Sequence, residues 1–266
     1  MADVLLFEKR GHIAVLTLND PETRNALTGE DMFGGIERAV DTINADLNIR
    51  AVILTGAGTA FCSGGNVRDM RDKKGMFGGT GTELASNYRN GIQRIPRAIY
   101  RLEAPIIAAV NGPAIGAGFD LACMCDLRVA SETAVFAESF IKVGIVAGDG
   151  GSWFLPRVIG WTRAAEMALT GDSIDAKTAL EYGLVSRVVP AAELMTAATA
   201  LAERIAANPP QVTRWTKRLL RDSSIMSLDG ALEQAATYQS LAHGTRDHEE
   251  ALAAMFEKRK PNFEGR

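Results

Sequence analysis

The chain has 266 residues, of which 47% are hydrophobic and 23% are charged, and this length suits one large α/β domain or two small ones. Its formal net charge of −3 excludes the global positive field that recruits nucleic acid, so we expect no nucleic-acid partner. The three cysteines, Cys62, Cys123 and Cys125, lack the spacing and the second pair of a zinc site. We therefore expect reduced, buried thiols and no bound metal.

The N-terminal segment does not have the pattern of a secretion signal. Asp3 and Glu8 stand where a signal peptide needs positive charge. The longest apolar region, 104–119, is interrupted at 111–113 by Asn-Gly-Pro and falls short of the ~20 residues that a membrane span needs. We expect a cytoplasmic protein with no membrane partner.

The first half of the chain alternates predicted strands and helices. Two strand-forming runs flank Arg10-Gly11 and predict a β-hairpin, and the helix that follows has its apolar residues on one face. Residues 75–82 are rich in glycine and lack apolar periodicity, which indicates a mobile loop. The predicted elements are strands at 4–8, 12–18, 50–56 and 105–112, a basic helical turn from residue 67, and helices at 28–45 and 84–102.

The second half becomes helical after Asp149. Gly171, Gly183 and the Pro209-Pro210 pair separate successive helical segments. The change near residue 190 divides a predicted core, 1–190, from an all-helical C-terminal region, 191–266. The predicted elements are strands at 126–131 and 134–139, and helices near 116–124, 151–159, 162–169, 175–182, 191–207, 210–222 and 226–257.

Two glycine-rich segments share a pattern that suits ligand binding. "FCSGG" at 61–65 and "GPAIGAG" at 112–118 each follow a predicted buried strand and open into a helix. Small residues let a ligand approach the backbone, and the first N–H groups of a helix have no internal acceptor. One N–H group from each segment can converge on an oxygen that becomes negative during a reaction, which is an oxyanion hole.

Acid–base chemistry at these loops falls to carboxylates. The three histidines, His12, His243 and His248, lie outside both segments, so Ser63 and Ser152 have no evident general base. The P-loop motif is absent, and the dinucleotide-binding fingerprint is incomplete. One candidate acid, Asp149, stands between two glycines in "AGDGG"; the alternative is that it caps the following helix.

The chain resembles the enoyl-CoA hydratase/isomerase (crotonase) family nearly from end to end. The motifs that carry the resemblance, in the family's order and spacing, are "FCSGGNV", "PIIAAVNGPAIGAGFDLACMCDLRVAS", "GLVSRVVP" and "EKRKPNF". The resemblance implies an α/β fold: a spiral of ββα turns that forms two packed sheets, closed by a helical C-terminal region that assembles homotrimers or homohexamers. It also implies an acyl-CoA thioester substrate, whose coenzyme A is part of the substrate, and no separate cofactor.

The resemblance assigns roles to particular residues. The backbone N–H groups of Gly65 and Ala117 match the two oxyanion donors of the family, and Asp120 matches its first catalytic acid. The matching coenzyme A contacts are at Arg24, Ala26, Ser63, Gly65, Asn66 and Lys258, the last of these approaching the nucleotide from the same or a neighbouring subunit.

The chain departs from the family's two-glutamate pattern. The first acid is Asp120 rather than glutamate, a choice that resembles the dienoyl-CoA isomerase branch, and the second position holds Phe140, which cannot transfer a proton. Two carboxylates are possible substitutes. Glu138 lies on the same face as Phe140 if 135–140 is a strand, displaced by about 6.6 Å, whereas Asp149 lies in the glycine turn, where some branches place their acid one position earlier, at Gly148.

The leading hypothesis is an acyl-CoA enzyme that stabilises a thioester enolate and moves protons with Asp120 and Asp149, in 2-enoyl-CoA hydration or a related isomerisation. One alternative is hydrolysis of a thioester or of a carbon–carbon bond in the same oxyanion hole. Another is a coenzyme A-binding protein that has lost catalysis. The acyl group is not evident from the sequence.

Overall fold

The computed structural model describes residues 3–266, and its strands form two sheets. The hairpin predicted around Gly11 is confirmed, because β1 and β2 pair antiparallel and Gly11 has a φ of 59°, which favours glycine. The strands are β1 (Leu5–Arg10), β2 (Ile13–Leu18), β3 (Ala51–Gly56), β4 (Ile106–Val110), β5 (Ala114–Ile115), β6 (Leu127–Ser131), β7 (Val135–Ala137), β8 (Ser173–Asp175) and β9 (Arg187–Val189).

The larger sheet has the order β1-β2-β3-β4-β6-β9, and its strands run parallel from β2 onward. The smaller sheet has the order β5-β7-β8. Strands β3 and β4 are buried along almost their whole length, as parallel strands covered on both faces are. The carboxyl ends of β3 and β4 lead into the two glycine-rich segments, so the sheet places those segments side by side.

Helices cover the larger sheet on both faces. One face packs against the apolar sides of α1, α4 and α5, and the other packs against Leu194, Ala198 and Ala202 of α9. The helices are α1 (Glu30–Ala45), α2 (Val67–Arg71), α3 (Gly81–Asn90), α4 (Arg94–Arg101), α5 (Ala117–Met124), α6 (Gly151–Ile159), α7 (Trp161–Thr170), α8 (Ala176–Glu181), α9 (Leu194–Ala206), α10 (Pro210–Ser223), α11 (Leu228–His243) and α12 (Arg246–Glu257).

The sequence predictions of secondary structure were wrong at several places. Residues 75–82 are not one loop, since they contain a 3-10 turn and the start of α3. The predicted helix at 84–102 is two helices that are broken at Gly91, where an added methyl group would lie 2.6 Å from Asn87 O. The predicted helix at 226–257 is α11 and α12, because Thr245 caps a new helix. The short strands β5, β8 and β9 were not predicted.

The C-terminal helices differ from one another in what they bury. Helix α9 belongs to the packing of the larger sheet, whereas α11 buries none of its residues. The domain boundary at residue 190 stays a prediction. Within residues 3–266, no helix has the length and the hydropathy that crossing a lipid bilayer requires.

Candidate active site

The two glycine-rich segments pack directly against each other at the ends of β3 and β4. Cys62 and Ala114 form a bridge between them, and the Ile115 N–H donates to Cys62 O at 3.0 Å. A methyl group at Gly118 would lie 2.2 Å from Cys62 O, well inside van der Waals contact. Helix α5 can therefore approach the first segment only because residue 118 is glycine.

This approach brings the two predicted oxyanion donors together. Gly64, with a φ of 80°, has no space for a side chain, because a methyl group there would lie 2.5 Å from Ile115 O and 3.0 Å from Ala117 N. Ala117 is the first residue of α5, so its N–H has no acceptor within the helix. Within residues 3–266, neither the Gly65 N–H nor the Ala117 N–H donates a hydrogen bond. The geometry is consistent with an oxyanion hole, and the role itself stays a prediction.

The segment that contains Arg24 and Ala26 is hydrogen-bonded to the first glycine-rich segment. Ser63 N–H donates to Arg24 O at 2.9 Å, and Leu27 N–H donates to Gly64 O at 2.8 Å. Between these bonds lies Asn25, which is fully buried and has the left-handed φ of 60°. Its side-chain amide donates to the carbonyl groups of residues 57, 60 and 61. Sequence reasoning missed Asn25, although a buried asparagine with three acceptors is what holds this loop.

The predicted coenzyme A contacts lie in two places. Arg24 is exposed and Ala26 is buried beside it, Ser63 Oγ donates to Thr23 O, and Asn66 caps α2 by accepting from Arg68 N–H. These residues, with Gly65, lie in or next to the two segments that are hydrogen-bonded to each other. Lys258 lies apart in the sequence, exposed at the end of α12 with a φ of 54°. Whether these residues bind coenzyme A stays a prediction.

Three carboxyl groups meet next to the amide pair. Asp120 comes from the first turn of α5, Glu138 follows β7, and Asp149 lies in the turn before α6. Their side chains are 0%, 3% and 3% exposed, respectively. Both oxygens of each aspartate and Oε2 of Glu138 are buried, and no described donor outside the three carboxyl groups bonds to them. Within residues 3–266, no cation forms an ion pair with any of the three.

Burial without a cation keeps protons on this cluster. It raises the pKa of Asp120 well above the ordinary value, and the charges of Asp149 and Glu138 raise it further. Burial raises the pKa of Glu138 to about 7, and it raises that of Asp149 as well. A proton on Asp120 can be shared with either neighbour, which lowers the pKa of both neighbours. Asp120 thus interacts with both neighbours, and Glu138, with a pKa of about 7, can both give and accept a proton near neutral pH.

Asp149 does not cap helix α6. Gly150 is the N-cap residue, with a φ of 118°, and no side chain caps the helix. The turn is instead held by α3 and the residues after it, because a methyl group at Gly148 would lie 2.7 Å from the Tyr88 ring and Gln93 Nε2 donates to Gly148 O at 2.8 Å. The carboxyl group of Asp149 is therefore not used in helix capping, and its catalytic role stays a prediction. Sequence reasoning missed Tyr88 and Gln93.

The expected strand at 135–140 ends early, which changes the positions of Glu138 and Phe140. Strand β7 stops at Ala137, and 139–143 is a 3-10 turn. The assumption that Glu138 and Phe140 share a strand face was wrong. Phe140 instead lies with its ring 3.6 Å from where a methyl group of Gly116 would be, so it forms an apolar wall at the start of α5.

An apolar cavity of about 350 Å³ adjoins the cluster. Its lining includes Glu138, Phe140 and Gly151, together with apolar side chains of α6 and α7. Glu138 is the only carboxyl group in that lining, and neither aspartate belongs to it. The cavity therefore meets the carboxyl cluster on the Glu138 side.

Comparisons with known proteins agree on fold and family. A model of the enoyl-CoA hydratase/isomerase family matches residues 8–266. A crotonyl-CoA hydratase of Syntrophomonas wolfei is 34% identical, over 97% of each chain, and a 1,2-epoxyphenylacetyl-CoA isomerase of Escherichia coli is 33% identical, over 100% of each. The crystal structure of an enoyl-CoA hydratase from Bacillus anthracis superposes with a TM-score of 0.91 at 33% identity, covering 99% of this chain and 100% of that one.

The protein is thus an α/β protein of the crotonase type, with two sheets and a helical C-terminal region, as the sequence motifs predicted. It belongs to the enoyl-CoA hydratase/isomerase family.

Proposed function

We propose that the protein binds an acyl-CoA thioester and stabilises its enolate, in hydration of a 2-enoyl-CoA or in a related double-bond isomerisation. The observation that carries the proposal is the meeting of two free backbone amides, those of Gly65 and Ala117, with three buried carboxyl groups that lack a cation. Family relatives named as a hydratase and as an isomerase support both reactions.

The proposed chemistry assigns one task to each group. The thioester oxygen accepts hydrogen bonds from the Gly65 and Ala117 amides, which strengthen as the oxygen becomes negative. In isomerisation Asp149, as a carboxylate, removes a proton from a carbon next to the thioester or at the vinylogous position, and the electron pair moves to the oxygen. In hydration it takes a proton from water, the water oxygen bonds to the β-carbon, and the electron pair of the double bond moves to the thioester oxygen. Asp149 or Asp120 then returns a proton to carbon. Coenzyme A is part of the substrate, and the reaction needs no other cofactor.

Phe140 and the cavity bear on the choice of acyl group. Phenylalanine at the second acid position gives the site an apolar wall where family hydratases have a glutamate, so ordinary two-glutamate activation of water is not available. The adjoining cavity of about 350 Å³ with mostly apolar lining suits an aliphatic or aryl acyl group. The test therefore includes 3-enoyl-CoA and aryl-substituted enoyl-CoA esters as substrates beside crotonyl-CoA.

The test compares two variants at Asp149 across a panel of 2-enoyl-, 3-enoyl-, dienoyl- and aryl-CoA esters. Asp149→Asn keeps the size of the side chain but cannot move protons, and it should lose about 10²–10⁴ in kcat with coenzyme A binding retained. Asp149→Ala should lose the same activity without a lower melting temperature, because the aspartate caps no helix. Full activity of a folded Asn variant would remove Asp149 from the mechanism.

The two alternative functions give different results in the same panel. A thioester hydrolase releases free thiol from the esters, and a coenzyme A-binding protein without catalysis shows calorimetric binding with no turnover. Neither outcome is compatible with the proposed reaction.

A further inference from the structure

The apolar cavity of about 350 Å³ lies among α6, α7 and the 3-10 turn at 139–143. Apart from Glu138 and Ser152, the described side chains in its lining are apolar or aromatic, and such a lining suits an apolar ligand rather than a charged one. Several large apolar side chains of the lining are also exposed, and a cluster of this kind marks a binding surface. They are Ile141, Val146, Trp161 and Leu169.

The cavity is continuous with the proposed reacting groups through two residues of its lining. Gly151 lines the cavity, and a methyl group on it would lie 2.2 Å from Asp120 Oδ1. Phe140 also lines the cavity, and its ring lies 3.6 Å from where a methyl group of Gly116 would be, directly before the proposed donor Ala117. The cavity therefore begins where the acyl group would react, which favours the acyl group as its occupant over a second copy of the chain.

Helix α7 leaves the cavity open because its side of the lining is made largely of alanines. Ala164, Ala165 and Ala168 line the cavity, and their spacing puts them on one face of the helix. Larger side chains at these positions would fill the space, as they do in close-packed interiors. The end of α7 packs on the 3-10 turn, since a methyl group at Gly171 would lie 2.9 Å from Ile141 Cγ2. The depth of the cavity is thus set by the small side chains of α7.

The volume of the cavity is large for a short acyl group. About 350 Å³ holds roughly ten groups of the size of a water molecule, at ~30 Å³ each. In a crotonyl group the carbonyl, α- and β-carbons lie at the reacting groups, so that only the terminal methyl group can extend into the cavity. An acyl group of about eight to twelve carbon atoms would place about five to nine of them there and fill roughly half of the space or more.

We propose that this cavity takes the distal part of a medium-chain acyl group, and that Ala165 and Ala168 of α7 determine which chain lengths fit. The proposal rests on the function proposed above, because it assumes that the thioester oxygen lies at the amides of Gly65 and Ala117. It deepens that function by naming the class of acyl group and two specificity-determining residues, neither of which takes part in proton transfer.

The experiment measures, by calorimetry, the affinity for saturated butanoyl-, octanoyl- and dodecanoyl-CoA, which cannot react as enoyl esters do. Complete burial of a methylene group is worth about fourfold in affinity, so octanoyl-CoA should bind wild type about 100-fold more tightly than butanoyl-CoA. Ala165→Leu places three more carbon atoms in the cavity. It should weaken octanoyl-CoA binding by about tenfold or more, with butanoyl-CoA affinity within about threefold of wild type. Ala168→Leu, at an exposed position of the same lining, gives a second test if Ala165→Leu does not fold.

Thr162→Leu is the matched control, because it adds a leucine to α7 outside the cavity lining; its preference for chain length should equal that of wild type. Wild-type affinity that does not depend on chain length overturns the proposal, as does an equal loss for both esters in a folded Ala165→Leu variant. If a second copy of the chain covers the cavity, Ala165→Leu lowers the molar mass in light scattering and leaves the length preference unchanged, which also overturns it. Failure of the proposed function appears separately, as unchanged turnover in Asp149→Asn or as no turnover of any enoyl-CoA ester.

Discussion

Replacing Ala117 with proline removes one proposed oxyanion donor while leaving helix α5 a favourable start. Ala117 is the first residue of α5, a position where proline is common because its missing N–H would have had no acceptor in the helix. The preceding residue is Gly116, with φ 53° and ψ −123°, which is outside the helical conformation that proline disfavours in its neighbour. The backbone therefore accepts proline at 117 with little strain.

The expected loss follows from the number of donors. Two amides are the proposed donors, and removing one such donor typically costs about 2.7–4 kcal/mol of transition-state stabilisation, or a factor of about 10²–10³ in kcat. Because the hydrogen bond strengthens only as negative charge develops, kcat should fall more than affinity for the ground-state thioester. The proline ring would also crowd the thioester oxygen of the substrate, so the loss in kcat should be at least this large.

The assay measures kcat and KM on the best substrate of the panel, with the melting temperature and coenzyme A affinity of each variant. Ala117→Gly is the control, since it keeps the N–H; its cost is about 1 kcal/mol or less in helix stability, and its kcat should stay within about tenfold of wild type. A folded proline variant that keeps more than about a tenth of wild-type kcat would refute the assignment of Ala117 as a donor.

Two further predictions concern stability and assembly. Burial raises the pKa values of Asp120, Glu138 and Asp149, so the folded state holds protons that the unfolded chain releases. The free energy of unfolding should therefore fall as pH rises from about 4 to about 7. Denaturant titrations should show a smaller fall for Asp120→Asn than for the wild type, and an equal fall would contradict the assignment of raised pKa values to this cluster. Helices α11 and α12 expose large apolar side chains, so light scattering should show a trimer or hexamer, whereas an active, monodisperse monomer would count against assembly. The exposed side chains are Leu228, Leu232, Leu241, Leu252, Met255 and Phe256.

The sequence predicted those elements whose signals are local. The hairpin, α1 and the buried strands β3 and β4 have clear apolar periodicity or continuous apolar runs, and the structure has them within two residues of the predicted bounds. The helix predicted at 84–102 was wrong because its periodicity continues through Gly91, while the break there depends on how α3 and α4 pack. Short strands such as β8 have too few residues for any periodic signal.

The candidate site was predictable in its parts but not in its arrangement. Both glycine-rich segments, Asp120 and Asp149 stand out in the sequence, and the motifs placed them in one site. Glu138 was assigned to a strand face, and its true position follows from β7 ending at Ala137 and the chain entering a 3-10 turn. Asn25 gives no local signal, because its function lies in carbonyl groups that are more than thirty residues away in sequence.

The way in which the carboxyl cluster is built argues for catalysis over simple coenzyme A binding. Glycines make the space for it: a methyl group at Gly151 would lie 2.2 Å from Asp120 Oδ1, so the start of α6 must lack a side chain. A buried arginine is present in the same region of the fold, but Arg128 donates to the carbonyl groups of residues 122, 125 and 184 and forms no ion pair with the cluster. A protein that only bound coenzyme A would gain nothing from three buried acids that lack a cation, because burying carboxyl groups costs folding free energy. Proton transfer is the function for which such acids are useful, because it requires groups whose pKa lies close to neutral pH.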